Sequence, residues 1–161
     1  MCPKNYSDEF SQDTRTLFER YYEQIKNDSG LEKIFLLNCL LGLVVIVFEK
    51  HKEVLDTIRL SYFSDFLPDS YKRLESGVLK VKKKQNYKAT KSKDFVAKIR
   101  NGIAHQHIIA NLDENGNWRT VTIKDFSDRG KNKDKPNFEI TLTVEQLKGL
   151  AIAISELVPS S

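Results

Sequence analysis

Residues 34–48 read Ile-Phe-Leu-Leu-Asn-Cys-Leu-Leu-Gly-Leu-Val-Val-Ile-Val-Phe, fifteen positions in which Asn38 alone is strongly polar. A helix that is apolar on nearly every face has to be enclosed by other protein, so this run belongs at the centre of a bundle or in a subunit interface. It is short of the roughly 20 residues needed to cross a bilayer, and charges flank both ends, so no membrane partner is expected. Ser29-x-x-Glu32 reads as a capping box at its start, and the helix is expected to continue through Glu53. Gly42 costs about 1 kcal/mol relative to Ala and is either a point of close approach by a neighbour or simply a tolerated glycine.

The rest of the chain must supply the cover. Phe10, Thr14, Leu17, Phe18, Tyr21, Tyr22 and Ile25 recur at helical spacing and predict a first amphipathic helix over about 11–27; aromatics so spaced are core before they are a base-stacking platform. A third helix is expected from Ser92, with Asp94 in its first turn and Phe95, Val96, Ile99 and Ile103 inward. Thr143-x-x-Gln146 is a second capping box, opening a closing helix with Val144, Leu147, Leu150, Ala151, Ile154 and Leu157 on one stripe. Between the second and third helices, Val54, Leu55 and Ile58 prolong the former. Pro68 suits the start of a short helix through Leu74, ended by Ser76-Gly77, and residues 76–91 form a basic connector. After the third helix, an insertion over about 107–142 alternates in Arg119-Thr-Val-Thr-Ile-Lys and Phe138-Glu-Ile-Thr-Leu, which predicts two or three short antiparallel strands. The expected fold is therefore mainly α: a four-helix up-down bundle with a small antiparallel β-hairpin or sheet insertion between the third and fourth helices, one domain over residues 1–161.

Charge is unevenly placed. The whole chain of 161 residues carries +4, but residues 72–100 hold eleven Lys and Arg against Glu75 and Asp94, which is +9, and leave −5 for the remainder. Such a cluster is either a solvated surface or a patch that faces phosphate. Cys2 and Cys39 make no disulfide framework or zinc spacing, and the polar N-terminal stretch has no apolar signal core, so a reducing cytoplasm is the expected location.

Chemistry concentrates in Arg100-Asn-Gly-Ile-Ala-His105, followed by Gln106 and His107. Asn101 and His105 are i and i+4 on a helix, so the amide is placed to orient the imidazole. Arg100 adjoins them with a fixed cation suited to a phosphate, and Gly102 and Ala104 leave room for a close backbone. His107 is either a substrate contact or a strand-entry residue packed at the helix end. His51 and a lone His-x-His carry no metal signature without a third ligand, so no metal and no cofactor are expected.

Arg-x4-His on the third helix, with a polar residue directly after the Arg, resembles the Arg-x4-6-His motif of the HEPN superfamily. The string Arg-Asn-Gly-Ile-Ala-His-Gln-His-Ile resembles that of small stand-alone HEPN proteins carried on bacterial plasmids and other mobile elements. The resemblance implies a HEPN bundle and a metal-independent endoribonuclease that forms a homodimer, two motifs facing one another across a shared cleft. Carried onto this chain, it implies His105 as general acid or base, Arg100 on the scissile phosphate and Asn101 in the polar position beside it. The expected products are a 2′,3′-cyclic phosphate and a 5′-hydroxyl, the expected role that of a toxin or phage-defence effector. RNA is the implied partner, with Lys80, Lys82, Lys83, Lys84, Lys93 and His107 as candidate substrate contacts. An acidic group near the end of the second helix, Glu49 or Glu53, can pair with the motif Arg in this superfamily. Some HEPN toxins carry a Tyr two positions after the His that an antitoxin modifies with adenylate; His107 stands there, which argues against that neutralisation while leaving room for a different cognate antitoxin. The alternatives are a non-catalytic HEPN-like module that binds nucleotide or RNA or only dimerises, and a regulatory partner within a toxin-antitoxin operon.

Overall fold

A computed structural model describes residues 6–25, 29–126 and 134–158. The Ser29 side chain, Cys2 and most of the polar loop before β5 lie outside the described residues. Helix α1 (Tyr6–Ile25) packs on a long helical spine made of α2 (Ser29–Leu40), a π-helical segment (Leu41–Ile46) and α3 (Val47–Thr57). The spine buries Leu36, Leu40, Leu43, Val44, Val47 and Phe48, as the apolar run demands. It is not covered all round, however, since Asn38 and Leu41 stay exposed. Gly42 is a point of close approach: Ser11 donates to its carbonyl at 3.0 Å, and a Cβ there would lie 2.7 Å from Thr14 Oγ1.

The first helix buries a narrower face than its spacing predicts. Phe18 and Tyr22 are buried, whereas Phe10, Leu17 and Tyr21 remain largely exposed. The Tyr22 hydroxyl donates to buried Glu32 at 2.8 Å, and burial with the Glu32 hydrogen bond raises the phenol pKa well above its ordinary value.

The larger correction concerns the sheet. The four-helix bundle with a small β insertion does not describe this chain: five α-helices accompany a five-stranded antiparallel sheet that forms a principal layer. After a short 3-10 turn (Leu60–Phe66) come β1 (Ser70–Glu75) and β2 (Val78–Lys83), where a short helix and a connector were expected. They form a hairpin around Ser76 and Gly77, both at positive φ. A second 3-10 turn (Lys84–Lys88) leads to α4 (Ser92–Ala104), then β3 (Ile108–Leu112), β4 (Trp118–Phe126), β5 (Pro136–Thr143) and α5 (Val144–Ser155). Three strands follow the third helix, where two or three were expected. The unexpected hairpin joins them through β1 on β5, giving the order β2-β1-β5-β4-β3.

Alternation decides which face is covered. Val121, Ile123, Phe138, Ile140 and Leu142 point into the core, while Thr122 and Thr141 pair at 2.9 Å on the other face. Tyr71, the one fully buried residue of β1, meets Phe95 and Phe138 at centroid distances of 5.3 and 5.6 Å, which anchors the hairpin to α4 and β5. Helix α5 follows β5 without a loop, because Thr143 caps it: its hydroxyl accepts from the Gln146 N–H and the Gln146 side chain accepts from the Thr143 N–H.

Candidate active site

Helix α4 runs between α3 and β4, and Gly102 sets that spacing. A Cβ at Gly102 would clash with Ile123 Cγ2 and lie 2.8 Å from the Lys124 carbonyl oxygen, so the open position is filled by this chain's own strand. The helix ends in a paired capping turn: the Gln106 N–H donates to Ile103 at 3.1 Å and the His107 N–H to Gly102 at 2.8 Å. Such a turn places its central residue in the left-handed region, usually as glycine. Here Gln106 occupies it at φ 58°, at a cost of about 1–2 kcal/mol. The His107 carbonyl then accepts from Lys124 at 3.0 Å and starts β3.

His105 and His107 flank this strained residue, and their ring centroids lie 5.9 Å apart with a 30° tilt. His105 is exposed. His107 is half-buried, backed edge-on by Phe126 at 4.8 Å, and its Nδ1 is buried with no partner among the described residues. One turn earlier, Arg100 forms an ion pair through Nη2 with Glu49 of α3, and its Cζ lies 5.3 Å from the Phe48 ring centroid. Nη1 donates to Asn101 Oδ1 at 2.8 Å, while Nε is buried without a partner among the described residues. Asn101 therefore engages the guanidinium rather than the imidazole, as a charged donor makes the stronger hydrogen bond. Of the two acidic candidates, Glu49 meets Arg100. His51 has a different place: it sits at a kink in α3 (φ −126°, ψ 25°), its Nε2 2.6 Å from Asp8 Oδ1, tying α1 to the spine.

The lysines are spread more widely. Lys80, Lys82 and Lys83 lie on β2, at the sheet edge opposite β3, four strand spacings or about 19 Å from the strand that His107 enters. Lys82 pairs closely with Glu75, and Lys80 reaches the same carboxylate at 3.9 Å. Lys84 begins the following 3-10 turn and Lys93 sits in the first turn of α4, about 10 Å along the helix from Arg100. Phe48 and Phe126, which seat the Arg and the second His, escaped sequence reasoning because an aromatic in an apolar stripe carries no mark of its neighbours. Lys98 pairs at 2.8 Å with Asp125, a carboxylate buried on β4, and so pins α4 to the sheet.

The family model described as HEPN pEK499 p136 matches residues 1–160. The chain belongs to this HEPN family. No curated protein and no solved structure matches it. In this HEPN chain the Arg-x4-His stretch spans the C-terminal end of α4 and its cap residue His105, packed between α3 and β4.

Proposed function

We propose that this HEPN protein is a metal-independent endoribonuclease of the toxin or phage-defence kind, acting in the cytoplasm as a homodimer. The observation that carries the reading is the pairing of a fixed cation with an open imidazole: Arg100, held by Glu49 and stacked on Phe48, one turn from exposed His105. RNA supplies its own nucleophile. The 2′-oxygen bonds to phosphorus as its proton passes to a base, and the P–O5′ bond breaks as the leaving oxygen takes a proton from an acid. The products are a 2′,3′-cyclic phosphate and a 5′-hydroxyl. His105 handles one of those protons, Arg100 offsets the charge that grows on the phosphorane, and Asn101 keeps the guanidinium in plane. His107 contacts the same phosphate. Lys80, Lys82, Lys83, Lys84 and Lys93 bind the flanking strand away from the chemistry, as the positive segment favours.

The test is cleavage of RNA in EDTA with end-group analysis. Cyclic-phosphate ends are expected from the wild type. His105→Ala should remove them and keep thermal stability within about 1 kcal/mol, because an exposed cap residue contributes little to the fold. Unchanged cleavage by that variant overturns the mechanism. One observation favours a second reading, a non-catalytic RNA-binding module: Glu49 already neutralises Arg100. That module would bind RNA and yield no cyclic-phosphate ends at any protein concentration.

A further inference from the structure

Beside the His105 turn lies a cleft of about 440 Å³ that the motif itself does not use. Its walls include Leu37, Asn38 and Leu41 at the junction of α2 with the π-helical segment, Ala104 and Gln106 on either side of His105, and Trp118 of β4. We propose that this cleft is a nucleobase subsite, which seats the base next to the phosphate held by Arg100 and so sets where an RNA chain is cut. The inference rests on the ribonuclease reading above.

The volume falls in the range of small-molecule sites. The lining has no charged side chain, so a phosphate is not its occupant. It has an indole, aliphatic walls and two amides, each able to donate and accept. A base offers the matching surfaces, a π-face for Trp118 and a polar edge for Asn38 and Gln106, and base–aromatic stacking is a recurrent means of holding single strands. The distance also fits. Ala104 is four residues after Arg100 on the same helix face, about 6 Å along the axis, a reach comparable to that between a phosphate and an adjoining base. Two backbone irregularities converge on the cleft: the π-helical segment, which begins at exposed Leu41, and the left-handed Gln106. Both kinds of irregularity gather at functional sites.

Trp118 is the only tryptophan of the chain and lines the cleft, so its emission responds to a ligand there, and loss of the response on filling the cleft assigns it to this site. The full-length protein titrated with each of the four nucleoside 3′-monophosphates should show saturable quenching, with at least tenfold between the tightest and weakest base. Ala110 of β3 also lines the cleft, so Ala110→Phe, which fills it, should abolish the quench, and Asn38→Ala should change the ranking of the bases should the first variant fail to fold. His105→Ala protein should still be quenched. Quenching without any RNA cleavage by the wild type would therefore remove the ribonuclease reading and keep the subsite. Cleavage without saturable quenching, or with equal quenching by all four nucleotides and by inorganic phosphate, removes the subsite and keeps the ribonuclease. A change of oligomeric state in folded Ala110→Phe, with base binding intact, also overturns the proposal, as it would make the cleft an interface between copies.

Discussion

At the scale of single residues, the motif was legible and its surroundings were not. Arg100, Asn101 and His105 can be picked out by type and spacing, yet the partner that Asn101 takes depends on where Glu49 and Phe48 bring the guanidinium, which is a matter of packing between α3 and α4. Gly102 shows the same limit: its freedom from a side chain is visible in sequence, the strand that uses it is not. Gly102→Ala should destabilise by about 1–3 kcal/mol, since the added methyl meets both the Ile123 side chain and the Lys124 carbonyl. Chemical denaturation reads that loss directly. Cys39 gives a second prediction. Burial pushes its thiol up to about 11 from an ordinary 9.0, so the folded protein keeps the proton that an unfolded chain releases first. In a Cys2→Ser background, alkylation at pH 8 should leave Cys39 untouched until denaturant is added. Stability should be fully kept below pH about 9 and fall as pH rises toward 11, because the unfolded state is then favoured by deprotonation. Rapid alkylation of the folded variant would contradict this burial.

At the scale of elements, helices with a strong stripe or a cap were readable, and α4, α5 and the capping box at Thr143 stand where spacing put them. The hairpin of β1 and β2 was missed for a physical reason. Its two strands pair chiefly with each other, β1 meets β5 over only two residue pairs, and only Tyr71 among their residues is fully buried, so the alternation that betrays a strand is absent. Lysines along β2 hide it further, though they suit an edge strand, which charge protects from pairing with other chains. Putting those lysines on a sheet edge also sorts them. Lys80 and Lys82 share Glu75, whereas no carboxylate among the described residues lies within 4.0 Å of Lys83 or Lys84. If the edge holds RNA phosphates, Lys83→Ala with Lys84→Ala should lower the slope of log affinity against log salt by about 2. Lys80→Ala with Lys82→Ala should change it less, as those charges are already partly offset. Filter binding across a salt series with a His105→Ala background separates the two, and equal slopes for both pairs would remove the distinction.

At the scale of the whole molecule, the disposition of the two histidines bears on how many chains a working site requires. In-line displacement puts the base and the acid on opposite sides of the phosphorus, near the attacking and the leaving oxygen. One chain presents His105 and His107 from a single turn, with rings side by side at 5.9 Å, and His107 is closed off behind by Phe126 with its Nδ1 buried. That leaves one open imidazole per chain, on one side of any phosphate held by Arg100. On the ribonuclease reading proposed above, the opposite side would be served by a second copy, as in a two-fold dimer with facing α4 ends. Mixing tells the cases apart. If acid and base come from two chains, activity in re-equilibrated mixtures of wild type with His105→Ala should follow the square of the wild-type fraction, about a quarter at equal amounts for a symmetric dimer. A linear fall to about half would mean that each chain cleaves alone, with His107 as the second proton carrier after all. The same series with His107→Ala then decides between them: in the two-chain arrangement His107 contributes contact, and its loss weakens substrate binding more than turnover, whereas in the one-chain arrangement its loss abolishes turnover.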